Sequence, residues 1–125
     1  MARIAIVDDS RLARTYASTV VRKAGHESIE IDPISLFEVL KGLRETLPEI
    51  LIMDYLMPGC PAQSLARACR EDPALQNMKI LVCTAHHDDE IQTRLERLGV
   101  AGFLHKPIEP SALLAAIEGL TKAEG

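Results

Sequence analysis

The chain has 125 residues, of which 47% are hydrophobic, so it is long enough to bury one core and too short for two. Its 18 acidic and 14 basic residues give a net charge of −4, and no basic run could follow a phosphate backbone, so we expect no direct contact with nucleic acid. The sequence has neither a signal-peptide layout nor an apolar stretch of the roughly 18 residues that a membrane span needs, which predicts a cytoplasmic protein without membrane contact.

Five short apolar runs alternate along the chain with five segments of helical periodicity. The runs are rich in apolar residues and bounded by turn residues, as strands are. The second run alternates apolar and polar residues and predicts an edge strand, whereas the first, third and fourth are apolar throughout, like parallel strands covered on both faces. The predicted strands are Ile4–Val7, Ser28–Ile31, Ile50–Met53, Ile80–Cys83 and Gly102–Leu104.

Two helical segments carry apolar residues on one face and predict amphipathic helices. The second has a marked start, because Ser35 and Glu38 have the spacing of a capping box. A third helix is predicted after Pro61, a fourth from about Asp88 to Leu98, and a fifth near Pro110. The apolar faces comprise Leu12, Tyr16, Val20 and Ala24 in the first helix and Leu36, Leu40, Leu43 and Leu47 in the second.

Strict alternation of strands and helices predicts a single α/β domain over residues 1–125, with right-handed parallel crossovers and a doubly wound sheet. Five strands favour the flavodoxin-like order 2-1-3-4-5 with helices on both faces. In such sheets ligands bind beyond the carboxyl ends of the strands, here beside the first and third strands.

Polar residues stand at that edge of the predicted sheet. Three carboxylates among them would repel one another, so the fold must supply positive charge or protonate one of them. A divalent cation and a lysine would supply that charge. The residues are Asp8 and Asp9 after the first strand, Asp54 after the third, Thr84 after the fourth, and Lys106 and Pro107 after the fifth.

Magnesium is the metal that this set of residues favours. The ligands are hard oxygens, and Mg²⁺ in proteins commonly uses one or two carboxylates and keeps several waters. A bound cation would also neutralise an incoming phosphoryl group and leave Asp54 free to act as a carboxylate nucleophile.

The cysteines and histidines leave a weaker metal alternative open. Cys60, Cys69 and Cys83 are odd in number and far apart, which predicts reduced residues in or near the core. Cys83 precedes His86 and His87 closely enough for zinc to be considered. Structural zinc usually takes four ligands in paired spacings, so we favour exposed histidines on a loop.

Four segments form a specific set of motifs: VDDS at residues 7–10, IMDYLMPG at residues 52–59, VCTA at residues 82–85 and GFLHKP at residues 102–107. Together they resemble the receiver domains of response regulators in two-component signalling. The resemblance extends from the first strand to the last helix.

The resemblance implies a phosphorylation switch that modifies only itself and is not an enzyme in the usual sense. Asp54 would accept a phosphoryl group from a sensor histidine kinase or a histidine phosphotransfer protein. Mg²⁺ would be bound directly by Asp9 and Asp54, through water by Asp8, and by the main-chain carbonyl of Leu56.

The same resemblance assigns roles to the residues near the fourth and fifth strands. Lys106 would pair with the phosphoryl group, and the Thr84 hydroxyl would move to hydrogen-bond it. Phe103 would be a switching aromatic residue, and the bond between Lys106 and Pro107 would be cis. A downstream protein or effector domain would bind the face formed by helix 4, strand 5 and helix 5, with homodimerisation and an effector domain after residue 125 left open.

Other functions and roles remain as alternatives. An aspartate-nucleophile phosphohydrolase would have a second Asp at position 56, where this chain has Leu56. A flavin or nucleotide binder would need a glycine- or hydroxyl-rich loop after the first strand, where this loop is acidic. A docking module that takes no phosphate is a further alternative. His86 would either contact hydrolytic water or be solvated, and Phe103 would either switch or stay in the core.

Overall fold

Strands and helices alternate throughout the protein, of which this computed structural model describes residues 1–122. Residues 123–125 of the predicted domain lie outside the described residues. The strands are β1 (Arg3–Val7), β2 (Glu27–Ile31), β3 (Ile50–Asp54), β4 (Lys79–Thr84) and β5 (Val100–His105). The helices are α1 (Arg11–Lys23), α2 (Leu36–Thr46), α3 (Ala62–Glu71), α4 (Asp89–Arg97) and α5 (Pro110–Lys122).

The strands form one parallel sheet in the order β2-β1-β3-β4-β5, which confirms the predicted flavodoxin-like topology. β2 lies at an edge, as its alternating pattern predicted. β3 lies at the centre, and all five of its residues are buried. The order of the strands reverses between β1 and β3, so the neighbouring ends of these strands are the expected place for a ligand.

Helices cover both faces of the sheet because the side chains of each strand alternate between the faces. Ala5 and Val7 of β1 pack in the core beneath α2, α3 and α4. Ile4 and Ile6 of the same strand pack in the core beneath α1 and α5. Burial on both faces explains why the central strands are apolar throughout.

The helix boundaries follow the capping signals closely. Ser35 precedes α2, and its hydroxyl accepts a hydrogen bond from the Glu38 N–H (3.1 Å), which is the Ser half of the predicted capping box. Asp88 caps α4 by accepting from the N–H groups of Glu90 and Ile91. The left-handed φ of Gly99 (91°) follows the end of α4, where glycine is favoured.

The predicted apolar face of α1 is wrong except at Val20, which packs against the core beneath α1 and α5. Leu12 is 82% exposed, whereas Ala17, Ser18 and Val21 are buried. The helix is turned by about one residue position, or 100°, from the predicted orientation. Small side chains let α1 approach the sheet, and the buried hydroxyl of Ser18 is paired with that of Ser28 on β2 (2.5 Å).

The predicted apolar face of α2 is correct except at its end. Val39 and Leu43 are fully buried, and Leu36 and Leu40 pack against the same core. Leu47 is half exposed, because the helix ends at Thr46 and Leu47 is the C-cap with a left-handed φ of 48°.

All three cysteines are free and buried, as predicted. Burial raises the pKa of the Cys60 thiol to about 11 and that of the Cys83 thiol to about 12, so both are protonated at neutral pH. Within residues 1–122, every helix is too short or too polar to span a lipid bilayer.

Candidate functional site

The register of the sheet brings the predicted polar residues to one edge. Val7 at the end of β1 is paired with Met53, so Asp8 lies beside Asp54. Asp54 is paired with Cys83 on β4, and Thr84 is paired with His105 on β5. The carboxyl ends of four neighbouring strands therefore lie at one edge of the sheet.

Three carboxylates lie close together at this edge. Asp8, Asp9 and Asp54 each place a carboxylate oxygen within 4.8 Å of the others. Asp8 and Asp54 are buried, while Asp9 is exposed. A cation bound by all three would therefore keep one open side toward water.

Lys106 reaches into this cluster from the turn after β5. Its Nζ lies 3.1 Å from Oδ1 of Asp54 and 3.4 Å from Oδ2 of Asp8. One ammonium group thus contacts two of the three carboxylates. The net charge of the four side chains remains negative when all are ionised, so the cluster can accept further positive charge.

The pKa values at the site show the effect of burial and crowding. Burial raises the pKa of Asp54, and the charges of Asp8 and Asp9 raise it further, while its hydrogen bond to Lys106 only partly opposes them. For Lys106, burial alone would lower the pKa, but the hydrogen bond to Asp54 and the nearby negative charges raise it. Lys106 is therefore a permanent cation at neutral pH.

Arg14 supports the turn that carries Asp8 and Asp9, a contact that the sequence did not suggest. Its guanidinium Nη1 donates to the main-chain carbonyl of Asp8 at 2.6 Å, and its side chain is only 12% exposed. Glu30 and Asp32 lie 3.9 Å from the same guanidinium and balance its charge. Because the predicted apolar face of α1 was wrong, the inward direction of Arg14 was not foreseen.

The Thr84 hydroxyl is bound to the loop between β4 and α4. It donates to the main-chain carbonyl of His86 (3.0 Å) and accepts from the His86 N–H (3.1 Å). Phe103 is half buried and packs against the core beneath α2, α3 and α4. Both side chains line one cavity of about 220 Å³, which Ile91 and Leu95 of α4 also line.

The remaining predicted residues lie around the same edge. Leu56 has a side chain that is 61% exposed, and the role of its main-chain carbonyl as a metal ligand stays a prediction. The peptide bond between Lys106 and Pro107 is cis.

The structure does not support the alternative zinc site at Cys83, His86 and His87. Cys83 is buried in the core beneath α1 and α5, whereas both histidines are exposed. Within residues 1–122, the three aspartates are the only group of three or more acidic, histidine or cysteine side chains close enough to share an ion.

Comparison with known proteins identifies a family. The family model of the response regulator receiver domain matches residues 4–118. The chemotaxis protein CheY of Thermotoga maritima is 28% identical over 121 residues, which cover 96% of this chain and 98% of that protein. The solved structure of the chemotaxis response regulator CheY4 of Vibrio cholerae has a TM-score of 0.87 at 26% identity and covers 96% of this chain and 98% of that one.

Some relatives are much longer than this chain. The cyclic di-GMP phosphodiesterase response regulator RpfG of Xanthomonas campestris is 32% identical over 117 residues, which cover 94% of this chain but 31% of that protein. The phosphate regulon regulatory protein PhoB of Pseudomonas aeruginosa is 23% identical, and 52% of it is covered. The chain spans only part of these relatives' length, and it belongs to the response regulator receiver domain family.

Proposed function

We propose that this protein is a phosphorylation switch in which Asp54 accepts a phosphoryl group from a histidine kinase or a histidine phosphotransfer protein. The observation that supports this most is the position of the Asp54 carboxylate, which lies 3.1 Å from Lys106 and has carboxylate oxygens of Asp8 and Asp9 within 4.8 Å. This carboxylate lies at the end of the central strand and has charged groups around it that can hold a transferred phosphoryl group.

In the proposed transfer, a carboxylate oxygen of Asp54 attacks the phosphorus atom of a phosphohistidine. A new O–P bond forms, and the P–N bond of the donor breaks with its electron pair left on the imidazole nitrogen. Lys106 is close enough to Asp54 to pair with the phosphoryl oxygens. Phosphoryl transfer depends chiefly on such positioning and charge stabilisation.

The residues at the acidic edge fit Mg²⁺. Their donor atoms are carboxylate oxygens, which Mg²⁺ prefers, and they have excess negative charge beside a partly exposed opening. Asp9 and Asp54 would hold the ion directly, Asp8 through water, and the main-chain carbonyl of Leu56 would add a further oxygen. Bound Mg²⁺ would neutralise charge on the phosphoryl group during transfer.

The proposed output is a change on the face formed by α4, β5 and α5. If the Thr84 hydroxyl turns toward a phosphoryl group on Asp54, its two hydrogen bonds to the main chain of His86 must break. The cavity next to Phe103 provides space into which that ring can turn. A downstream protein, an effector domain or a second copy would then recognise the changed face.

Position 56 argues against a phosphohydrolase that turns over small phosphoesters. The exposed apolar side chain of Leu56 offers no acid or base where such an enzyme would have its second aspartate. We therefore propose that the chemistry is restricted to phosphorylation and dephosphorylation of this protein. We also propose a cytoplasmic location, with which the three reduced cysteines agree.

Labelling with acetyl phosphate and Mg²⁺, followed by intact-protein mass spectrometry, tests the proposal. We expect one phosphoryl group on the natural protein and none on Asp54→Asn. Asp72→Asn is a matched control, because it removes a carboxylate from the opposite edge of the sheet. Equal labelling of a folded Asp54→Asn protein would show that the acceptor is wrong.

A further inference from the structure

Two histidines that the proposed phosphorylation does not use, His87 and His105, meet beside α4. Nδ1 of His87, in the loop between β4 and α4, lies 3.2 Å from Nε2 of His105 at the end of β5. The rings are stacked with their centroids 5.4 Å apart. Both side chains are exposed, so burial does not explain the contact.

A carboxylate of Asp89 lies next to the ring nitrogen of His87 that does not face His105. A carboxylate oxygen of Asp89 lies 2.9 Å from Nε2 of His87. When Nε2–H donates to this carboxylate, the neutral imidazole has its lone pair on Nδ1, which faces His105. Histidines that bind metals commonly donate their other ring N–H to a carboxylate in this way.

The distance between the facing nitrogens also fits a shared metal ion. Two imidazole nitrogens at the usual Zn–N distance of about 2.0–2.1 Å lie about 3.3 Å apart in tetrahedral coordination. The separation here is 3.2 Å, so the two nitrogens already have the spacing that one shared ion requires. Because His87 is 63% exposed, water can supply the remaining ligands.

Both histidines are positioned by their local structure. His105 is the last residue of β5 and is paired with Thr84 of β4. His87 precedes Asp88, the N-cap of α4, whose side chain binds two main-chain N–H groups of the helix. Regular structure next to each histidine therefore holds the two nitrogens in place, and binding of an ion would not require a long segment to become ordered.

We propose that His87 and His105, with Asp89 orienting His87, form a binding site for a divalent transition cation such as Zn²⁺. Imidazole nitrogen favours zinc and copper over magnesium, so this site and the acidic cluster would select different ions. The bound ion would link the loop before α4 to the end of β5. The proposal does not rest on phosphorylation, because within residues 1–122 none of these three side chains forms a hydrogen bond or ion pair with Asp8, Asp54 or Lys106.

Zinc affinity of the full chain tests this site, measured by competition with a chromophoric chelator without a phosphodonor. Excess Mg²⁺ in the buffer keeps Zn²⁺ from the acidic cluster. We expect one Zn²⁺ per chain, with at least about tenfold weaker binding in His87→Gln and in His105→Gln. Asp89→Asn is expected to weaken binding by about tenfold, as the loss of a carboxylate behind a metal-binding histidine does.

His86→Gln provides the matched control, because His86 is an exposed histidine in the same loop and outside the pair. We expect it to bind Zn²⁺ as the natural protein does. Ring-nitrogen NMR of the natural protein, which needs no variant to fold, should show Zn²⁺-dependent shifts at His87 and His105 and none at His26. If the natural protein binds no zinc, or if the His87 and His105 variants bind it equally well, the pair is only a hydrogen bond and the proposal is wrong.

Discussion

Asp54 and Asp72 lie at opposite ends of the parallel strands, and their surroundings give the two carboxyl groups different properties. Asp72, the C-cap residue of α3, forms an ion pair with Arg44 (2.6 Å) and accepts a hydrogen bond from the Ala74 N–H. The hydrogen bond from Arg44 lowers the pKa of Asp72 most, and the bond from Ala74 lowers it further. Asp54 shares Lys106 with Asp8, and its pKa is raised, chiefly by burial. Arg44 neutralises the charge of Asp72, whereas the cluster of Asp8, Asp9, Asp54 and Lys106 keeps a net negative charge that a cationic ligand can neutralise.

The largest difference should appear when the cation at each edge is removed. Lys106→Met should slow labelling of Asp54 by acetyl phosphate about 10²-fold, the usual cost of losing one charge-stabilising donor. Arg44→Met should leave labelling unchanged. Mass spectrometry of samples taken over time measures the rate of labelling. Equal rates in Lys106→Met and Arg44→Met would show that Lys106 has no special role in phosphorylation of Asp54.

Magnesium should stabilise the protein through the acidic edge only. At a concentration of 100 times Kd, it should raise the free energy of unfolding by about 2.7 kcal/mol, because it binds only the folded state. Asp9→Asn should lose most of this gain, and Asp72→Asn should keep it. Urea unfolding with and without Mg²⁺ measures the effect, and a gain that survives in Asp9→Asn would place the ion elsewhere.

The exposed Leu56 side chain should control how long the phosphoryl group survives. An apolar side chain cannot orient attacking water, so Leu56→Asn should speed dephosphorylation about tenfold. Decay of labelled protein measures this rate across a pH series, with His86→Ala tested beside it because the resemblance also predicts that His86 could contact the attacking water. An unchanged rate in Leu56→Asn with unchanged Mg²⁺ affinity would contradict the role of Leu56.

The smallest effects should be on stability without metal, and they should have opposite signs. Asp54→Asn should raise the free energy of unfolding, because it removes the cost of burying a charged carboxylate, and this cost, which is the main cause of the raised pKa of Asp54, exceeds the lost hydrogen bond to Lys106. Asp72→Asn should lower the free energy of unfolding, because it removes the ion pair with Arg44. Urea unfolding without Mg²⁺ tests both, and a change of the same sign would contradict the comparison.

The pH dependence of these variants follows from the two pKa shifts. The raised pKa of Asp54 gives a contribution to stability that is present below the unfolded pKa of about 3.9 and is lost as pH rises through the folded pKa. The lowered pKa of Asp72 gives a contribution to stability that is present above the unfolded pKa and is lost as pH falls through the folded pKa. Asp54→Asn should flatten the dependence of the free energy of unfolding on pH above the unfolded pKa, and Asp72→Asn should flatten it below the unfolded pKa; urea unfolding across a pH series measures both.

The sequence predicted the features that depend on local patterns. Strand order and the acidic edge followed from alternating elements and from polar residues at strand ends. The face of α1 did not, because burial of Ala17 and Ser18 depends on how closely the helix approaches the sheet. The contact of His87 with His105 also depends on the pairing of β4 with β5, which local periodicity does not specify.

The contact between Lys106 and Asp8 joins residues that are 98 positions apart in the chain. The first strand therefore supplies carboxylates that have no lysine partner until the fifth strand has been synthesised and paired. A nascent or truncated chain that ends before β5 lacks Lys106 altogether. Under the proposed function, efficient uptake of a phosphoryl group would therefore require the whole domain to be folded.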